Sequence, residues 1–385
     1  MKIAIDPWTL ASRFRCQGTY VYLQNLLREF KNIARADSGV SFSLFASGRN
    51  GNDAVHVALS AGFELDTSHL LDHDRMWRLG GAGLSAAHSR ADVLFIPTAA
   101  TLPIGPVPAV CTIHDVTPLT MPTHSSKVTA GQRMFFQGCA RLSRAIITSS
   151  ECSKKDIVAL LGIAEEKITV IHDACDHAVF NTISVDLEVL KTLHARLDIQ
   201  KPYLIHHGTV QPRKNLKRLI EAFRLLLARD SNLDFDLVLV GQMGWASDDV
   251  TNAARNESRG GGRVIFAGML TDADLAMLLK GASLAVIPSL YEGFCLPMVE
   301  AMACGVPTIA SGTSCLPEIS GDALQYFAPL SVEDMAACMR SVLVDSNLSQ
   351  RLREAGIARA LEFSWERCAR ETLQVLTRVG GATGN

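Results

Sequence analysis

Two carboxylates eight residues apart, Glu292 and Glu300, bracket a run that also holds Gly293, Phe294, Cys295, Leu296 and Pro297. Glycine permits a turn, and proline is harmless in the first turn of a helix because its fixed φ and missing N–H cost nothing there. The N–H groups of 293–296 then lie at the positive end of a helix, a place suited to anions and sugar hydroxyls. Eight residues is about two helical turns, so two hydrogen-bond acceptors can frame one ligand. Glu300 as a solvated helix residue and Glu292 as a plain loop charge is the bland alternative. The joint placement of charge, glycine and proline favours a site.

Three further groups could do chemistry. Arg213 and Lys214 stand side by side just ahead of an amphipathic run with Leu216, Leu219, Ile220 and Phe223. One is a fork and the other a point charge, and both suit a diphosphate; basic loop residues are also common without any such role. His114-Asp115 ends an apolar run, where a histidine can donate to a hydroxyl or act as acid or base. Those two residues alone fit a surface histidine equally well. Gly18 precedes a helix carrying Val21, Leu23, Leu26, Leu27 and Phe30, and Gly241 follows the apolar run 235–240. Each glycine lets the backbone approach a ligand closely.

The elements that must position these residues are apolar runs at 2–6, 40–45, 93–97, 109–113, 145–149, 167–172, 203–207, 235–240, 264–268, 284–287 and 308–311. Runs such as Leu284-Ala285-Val286-Ile287 need both faces covered, as in a parallel sheet, and they alternate with helical periodicity. This is an α/β chain of doubly wound type. The candidate residues fall after strands, at the carboxyl edge where open α/β sheets bind ligands. Alternation lapses between 173 and 201 and restarts at Tyr203, which divides the chain into 1–185 and 186–364. The final helix, from Trp365, falls in 365–385. The segment 49–90 is left unassigned, 255–263 with Gly260, Gly261 and Gly262 reads as a surface loop, and 311–322 reads as a loop of turn residues.

Composition bounds the function. The 385 residues allow two to three domains, and 48% hydrophobic content fills two cores. A net charge of −2 and 20% charged residues offer no nucleic-acid tail or polybasic anchor. No run reaches the ~20 apolar residues that span a bilayer, and the first residues do not form a signal peptide, which predicts a cytoplasmic protein. Ten scattered cysteines lack paired spacing, which predicts reduced thiols and no metal site. A dinucleotide oxidoreductase would want Gly-x-Gly-x-x-Gly after the first strand, and Asp6-Pro7-Trp8 does not supply it.

The run Glu-Gly-Phe-Cys-Leu-Pro-Met-Val-Glu-Ala-Met-Ala-Cys-Gly-Val-Pro, 292–307, resembles the two-glutamate signature of the retaining glycosyltransferases of family 4. Gly-Thr-Val-Gln-Pro-Arg-Lys-Asn (208–215) resembles that family's phosphate-binding loop, and Ile-His-Asp-Val-Thr-Pro-Leu (113–119) its sugar-contacting histidine segment. The resemblance implies the GT-B architecture: two Rossmann-like doubly wound domains facing across a cleft, with the C-terminal helix crossing back to the first. It implies that Arg213 and Lys214 hold the diphosphate, and that Glu292 with the N–H groups of 293–296 binds sugar hydroxyls. Glu300 would bind the ribose, Gly241 would line the nucleotide, and His114 would reach the sugar from the first domain. Gly18 and the loop with Arg13 and Arg15 would face the cleft, although many members have two adjacent glycines where this chain has one.

Further implications concern the reaction. The nucleotide sugar is a substrate, and no cofactor is implied. The motif combination looks most like bacterial mannosyltransferases that use GDP-mannose to build O-antigen or exopolysaccharide on lipid-linked or glycan acceptors. UDP-glucose or UDP-N-acetylglucosamine as donor is the alternative, followed by a sugar-nucleotide epimerase and a noncatalytic nucleotide-sugar-binding subunit. Such acceptors place the protein at the inner face of the cytoplasmic membrane. The histidines and arginines from His69 to Arg90 offer a peripheral contact there, or form an ordinary surface.

Overall fold

The computed structural model describes residues 1–10, 18–36, 39–45, 63–66, 76–121, 130–244, 247–255 and 262–382. Arg13, Arg15, Cys16, His69, Gly260 and Gly261 lie outside them. The chain forms two compact units, Met1–Asp173 with Trp365–Asn385, and Ala174–Ser364.

The first unit is built on a seven-stranded parallel sheet. Its strands are β1 (Lys2–Ile5), β2 (Ser41–Phe45), β3 (Glu64–Asp66), β4 (Val93–Ile96), β5 (Ala109–Thr112), β6 (Ala145–Thr148) and β7 (Ile168–Val170), in the order β3-β2-β1-β4-β5-β6-β7. The direction of winding reverses between β1 and β4, which register Ile3 against Val93. The helix Trp365–Gly381 belongs to this unit: Trp365 packs edge-on at 6.1 Å from Tyr22, and Gly380 lies against Met1 and Val93.

The second unit has a six-stranded parallel sheet of β8 (Tyr203–His207), β9 (Asp236–Val240), β10 (Val264–Gly268), β11 (Leu284–Ile287), β12 (Thr308–Ser311) and β13 (Gln325–Phe327). Its order is β10-β9-β8-β11-β12-β13, with the reversal between β8 and β11. Leu284, Ala285, Val286 and Ile287 are all buried, as a strand covered on both faces requires. Each large apolar side chain of this kind stabilises by about 1.5–3 kcal/mol on burial.

Three departures from the sequence reading have local causes. The first unit ends at Asp173, earlier than the 185/186 boundary, because the polar stretch after it packs onto the second unit. His177 Nε2 bonds Phe363 O at 2.9 Å, and Lys280 Nζ donates to Asn181 Oδ1 at 3.0 Å. The supposed loop 311–322 contains a short helix, Leu316–Ser320, followed by the strand Gln325–Phe327. The unassigned segment holds β3, a kinked turn Trp77–Gly81 with Gly80 at φ 134°, and the helix Ala82–His88. The nine described cysteines are all free thiols.

Candidate functional site

In the second unit the strands β8 and β11 flank the winding reversal, and their carboxyl ends carry the candidate residues. β8 ends in His206 and His207, and Gly208 follows it. Gly208 has φ +135°, and Gly241, at the end of β9, has φ +138°. A Cβ on Gly241 would lie 2.2 Å from Gly208 O, so only glycine lets these two strand ends close on each other.

The turn Pro212–Lys214 follows, closed by Asn215 in the left-handed region at φ 57° and tied by Asn215 Nδ2 to Pro329 O at 2.7 Å. From it Lys214 Nζ reaches Glu292 Oε1 at 2.6 Å, and Arg213 Nη1 pairs with Glu292 Oε2. Arg213 also donates to Tyr291 O at 3.1 Å, and its own carbonyl accepts from Leu290 N at 2.8 Å. Glu292 is thereby the shared counter-ion of both cations, with 6% side-chain exposure against 5% for Lys214. Burial alone would raise its pKa, but the two adjacent cations prevail and hold the carboxyl at about 2. Ser314 Oγ fixes the main chain at this point, accepting from Glu292 N at 3.0 Å and donating to Glu292 O at 2.5 Å.

Glu300 sits on the helix Leu296–Ala303, whose first turn contains Pro297. Cys295 caps it at φ 77°, a left-handed conformation that costs a non-glycine residue about 1–3 kcal/mol and is found at ligand-binding turns. Its thiol is pushed up to about 12 by burial and by the Glu292 charge. Phe294 is buried, edge-on to Phe363 at 5.4 Å, and both Gly293 and Phe294 have partners.

Two histidines escaped the sequence reading. His207 Nε2 donates to Glu300 Oε2 at 2.8 Å, which orients the second carboxylate. His206 Nδ1 donates to Val286 O at 2.9 Å, leaving Nε2 a bare lone pair without a partner among the described residues. Burial, then the Lys214 charge, lowers its pKa to about 3, so it is neutral. The signal was present as consecutive histidines in an otherwise apolar strand.

In the first unit His114 follows β5. Its Nε2 donates to Pro97 O at 3.2 Å, its Nδ1 faces Asp173 Oδ2 at 3.8 Å, and its ring meets Tyr22 edge-on at 4.6 Å. Burial lowers its pKa, but Asp173, then Asp115, outweigh that and raise it overall, favouring the imidazolium. Asp115 accepts from Thr117 N at 2.8 Å. Gly18 is exposed as the first residue of the helix Gly18–Ala36.

Residues 192–359 match the family model of glycosyl transferases group 1, and residues 18–179 that of Glycosyltransferase Family 4. The chain is 31% identical over 267 residues to the O-antigen chain mannosyltransferase B of Escherichia coli, covering 69% of each protein. The chain belongs to glycosyltransferase family 4.

This transferase of the GT-B fold class is also 28% identical over 284 residues to the serotype-specific mannosyltransferase WbdA of Escherichia coli. That match covers 72% of this chain but 35% of WbdA, so the chain spans about a third of that relative. Among solved structures, Anabaena HepE in complex with UDP and glucose superimposes with a TM-score of 0.73 at 16% identity, covering 98% of this chain and all of that one. WaaG, a glycosyltransferase involved in lipopolysaccharide biosynthesis, superimposes at 0.65 with 16% identity, covering 97% and 99%. These likenesses concern the fold. Among the described residues no helix is long and apolar enough to cross a membrane, and no group of three His, Cys, Asp or Glu side chains is placed to hold a metal ion.

Proposed function

We propose that this transferase moves mannose from GDP-mannose, with retention of configuration, onto a glycan or lipid-linked saccharide of a bacterial surface polysaccharide, at the inner face of the cytoplasmic membrane. The observation that carries the donor site is the convergence of Lys214 and Arg213 on the Glu292 carboxylate at the carboxyl edge of the second sheet. Mannosyl transfer is supported by the relatives, which include the mannosyltransferase B already described and an MMP alpha-(1->4)-mannosyltransferase 30% identical over 241 residues.

The difficult event is departure of the sugar from a diphosphate, in which negative charge grows on the leaving oxygens. Two fixed cations stabilise that charge without reorganising at the moment of reaction. In this reading a bound diphosphate shares Lys214 and Arg213 with Glu292, whose carboxylate then accepts from sugar hydroxyls. Glu300, oriented by His207, accepts from the ribose, and the close approach of Gly208 and Gly241 leaves room for the nucleotide backbone. These groups supply charge and hydrogen bonds, so the nucleotide sugar serves as substrate and the reaction draws on no cofactor.

Thermal shift with GDP-mannose, UDP-glucose, UDP-N-acetylglucosamine and NAD tests the donor, and proton NMR of the product with a mannoside acceptor tests the anomeric outcome. Selective stabilisation by GDP-mannose and an α-linked product are expected. Stabilisation by a uridine donor alone would overturn the sugar, and an inverted product would overturn retention.

A further inference from the structure

β8 carries two consecutive histidines, and successive strand residues point to opposite faces of a sheet, so the two are turned to different surroundings. His207 meets Glu300, while His206 is 1% exposed and bonds the neighbouring strand through Nδ1, which donates to Val286 O at 2.9 Å. A carbonyl only accepts, so that bond fixes the proton on Nδ1 and leaves Nε2 as an acceptor. No donor among the described residues meets Nε2. A buried polar atom left without a partner is costly, and native structures hold few of them.

Across Gly208 lies a group with the opposite need. A Cβ built on Gly208 would stand 3.8 Å from His206 Nε2 and 3.6 Å from Lys214 Nζ, so the two nitrogens border one gap that the missing side chain leaves open. Lys214 is 4% exposed, and among the described residues Glu292 Oε1, at 2.6 Å, is the one hydrogen-bond partner of its ammonium. An ammonium has three N–H donors on a flexible stem. An acceptor short of a donor thus lies beside a donor short of acceptors. The pair is also matched in charge. A second carboxylate here would cancel the positive charge that a diphosphate needs, whereas a neutral imidazole holds the ammonium and leaves that charge intact. Burial, then the Lys214 charge, keep the ring neutral.

We propose that His206 is a positioning residue for the diphosphate: its Nε2 takes one N–H of Lys214, Glu292 takes a second, and the third is thereby aimed at a phosphate oxygen. A small rotation of the lysine stem across the open side of Gly208 closes the bond to His206. Two fixed legs of the ammonium then set the direction of the third, so the donor is oriented before charge builds on the leaving oxygens. This deepens the functional reading above and rests on it for the diphosphate.

The test is calorimetry of the full chain with two probes, GDP and guanosine, the second of which lacks phosphate. His206→Asn keeps a donor where Nδ1 stands, so the Val286 bond survives, and places nothing at Nε2. It should weaken GDP about tenfold, the scale of a hydrogen bond to a charged group, and leave guanosine unchanged. His206→Gln, whose amide oxygen reaches the place of Nε2, should recover most of that loss. In a Lys214→Met background His206→Asn should have no further effect on GDP, since the histidine acts through the lysine. Within the wild type, the nitrogen NMR signal of His206 Nε2 should move upfield on saturation with GDP, as an imidazole lone pair does on accepting a hydrogen bond; this arm needs no variant to fold. Equal GDP affinity in wild type and His206→Asn, the same loss in the Lys214→Met background, an equal loss for guanosine, or an unmoved Nε2 signal overturns the role. If the wild type binds no GDP, the donor reading falls and this role with it; if it binds GDP and His206→Asn matches it, only the role of His206 falls.

Discussion

Replacing Glu292 by glutamine keeps the shape of the side chain and removes its charge, leaving Lys214 and Arg213 facing a neutral amide. Lys214 is 5% exposed, so water cannot replace the lost counter-charge. Two routes give the cost. A carboxyl held at about 2 instead of 4.5 corresponds to about 3 kcal/mol of stabilisation at neutral pH. Removing one partner of a buried ion pair costs about 3–5 kcal/mol. For a unit of this size each kcal/mol is worth about 2–4 °C, so a cost of about 3–5 kcal/mol should lower the transition of the second unit by roughly 6–20 °C. Because the folded-state pKa is depressed, the wild-type contribution is complete above about pH 4.5 and is lost as pH falls towards about 2. That acid-sensitive component should be missing in the variant. Differential scanning calorimetry of the full chain, with and without GDP, reads all of this. On the proposed function GDP would bring its own negative charge to the two cations, so it should stabilise Glu292→Gln more than wild type. Turnover should drop about 100-fold or more, since the charge that sets the two cations in place is gone. A midpoint within 1–2 °C of wild type, or equal stabilisation of both forms by GDP, would refute the shared counter-ion argument.

Three other outcomes are expected. His206, neutral down to about 3 when folded and titrating near 6.5 when unfolded, makes stability fall by about 1.4 kcal/mol for each unit that the pH drops between 6.5 and 3; His206→Asn should flatten that slope in urea midpoints measured against pH. His114 has a raised folded pKa, so its contribution is complete below about pH 6.5 and fades as pH rises through the folded value; Asp173→Asn should lower its NMR titration midpoint, and an unmoved midpoint would remove Asp173 as the cause. His207→Phe, which releases Glu300, should weaken GDP about tenfold by calorimetry, the scale of a charge-assisted hydrogen bond; unchanged affinity would show that Glu300 needs no orienting partner.

What could be read from the chain alone follows the range of the interactions. The apolar runs at 203–207 and 284–287 announced buried parallel strands because burial on both faces forces composition, and Gly241 stood out because no side chain fits at its φ. Residue types at Glu292, Lys214 and Arg213 pointed to charge chemistry. Their mutual pairing was invisible, since Lys214 and Glu292 are separated by 78 positions and only the sheet brings them together. The His207 to Glu300 bond, across 93 positions, was hidden for the same reason. Gln325–Phe327 escaped notice because a strand of three residues at a sheet edge leaves no periodicity to detect. The stretch after Asp173 is polar, yet it joins the second unit through His177 and Asn181, contacts that composition does not encode.

The first unit is discontinuous in the chain: its helix Trp365–Gly381 is synthesised only after the whole of Ala174–Ser364. On the ribosome, domains ordinarily complete themselves from the amino terminus onward. Here the order is inverted. The second unit has all of its strands available while the first still lacks the helix that carries Trp365 to Tyr22 and covers Val93. The nascent chain must therefore hold an unfinished, apolar-faced sheet for the time needed to translate nearly half of the protein, an interval in which that exposed face is open to wrong contacts.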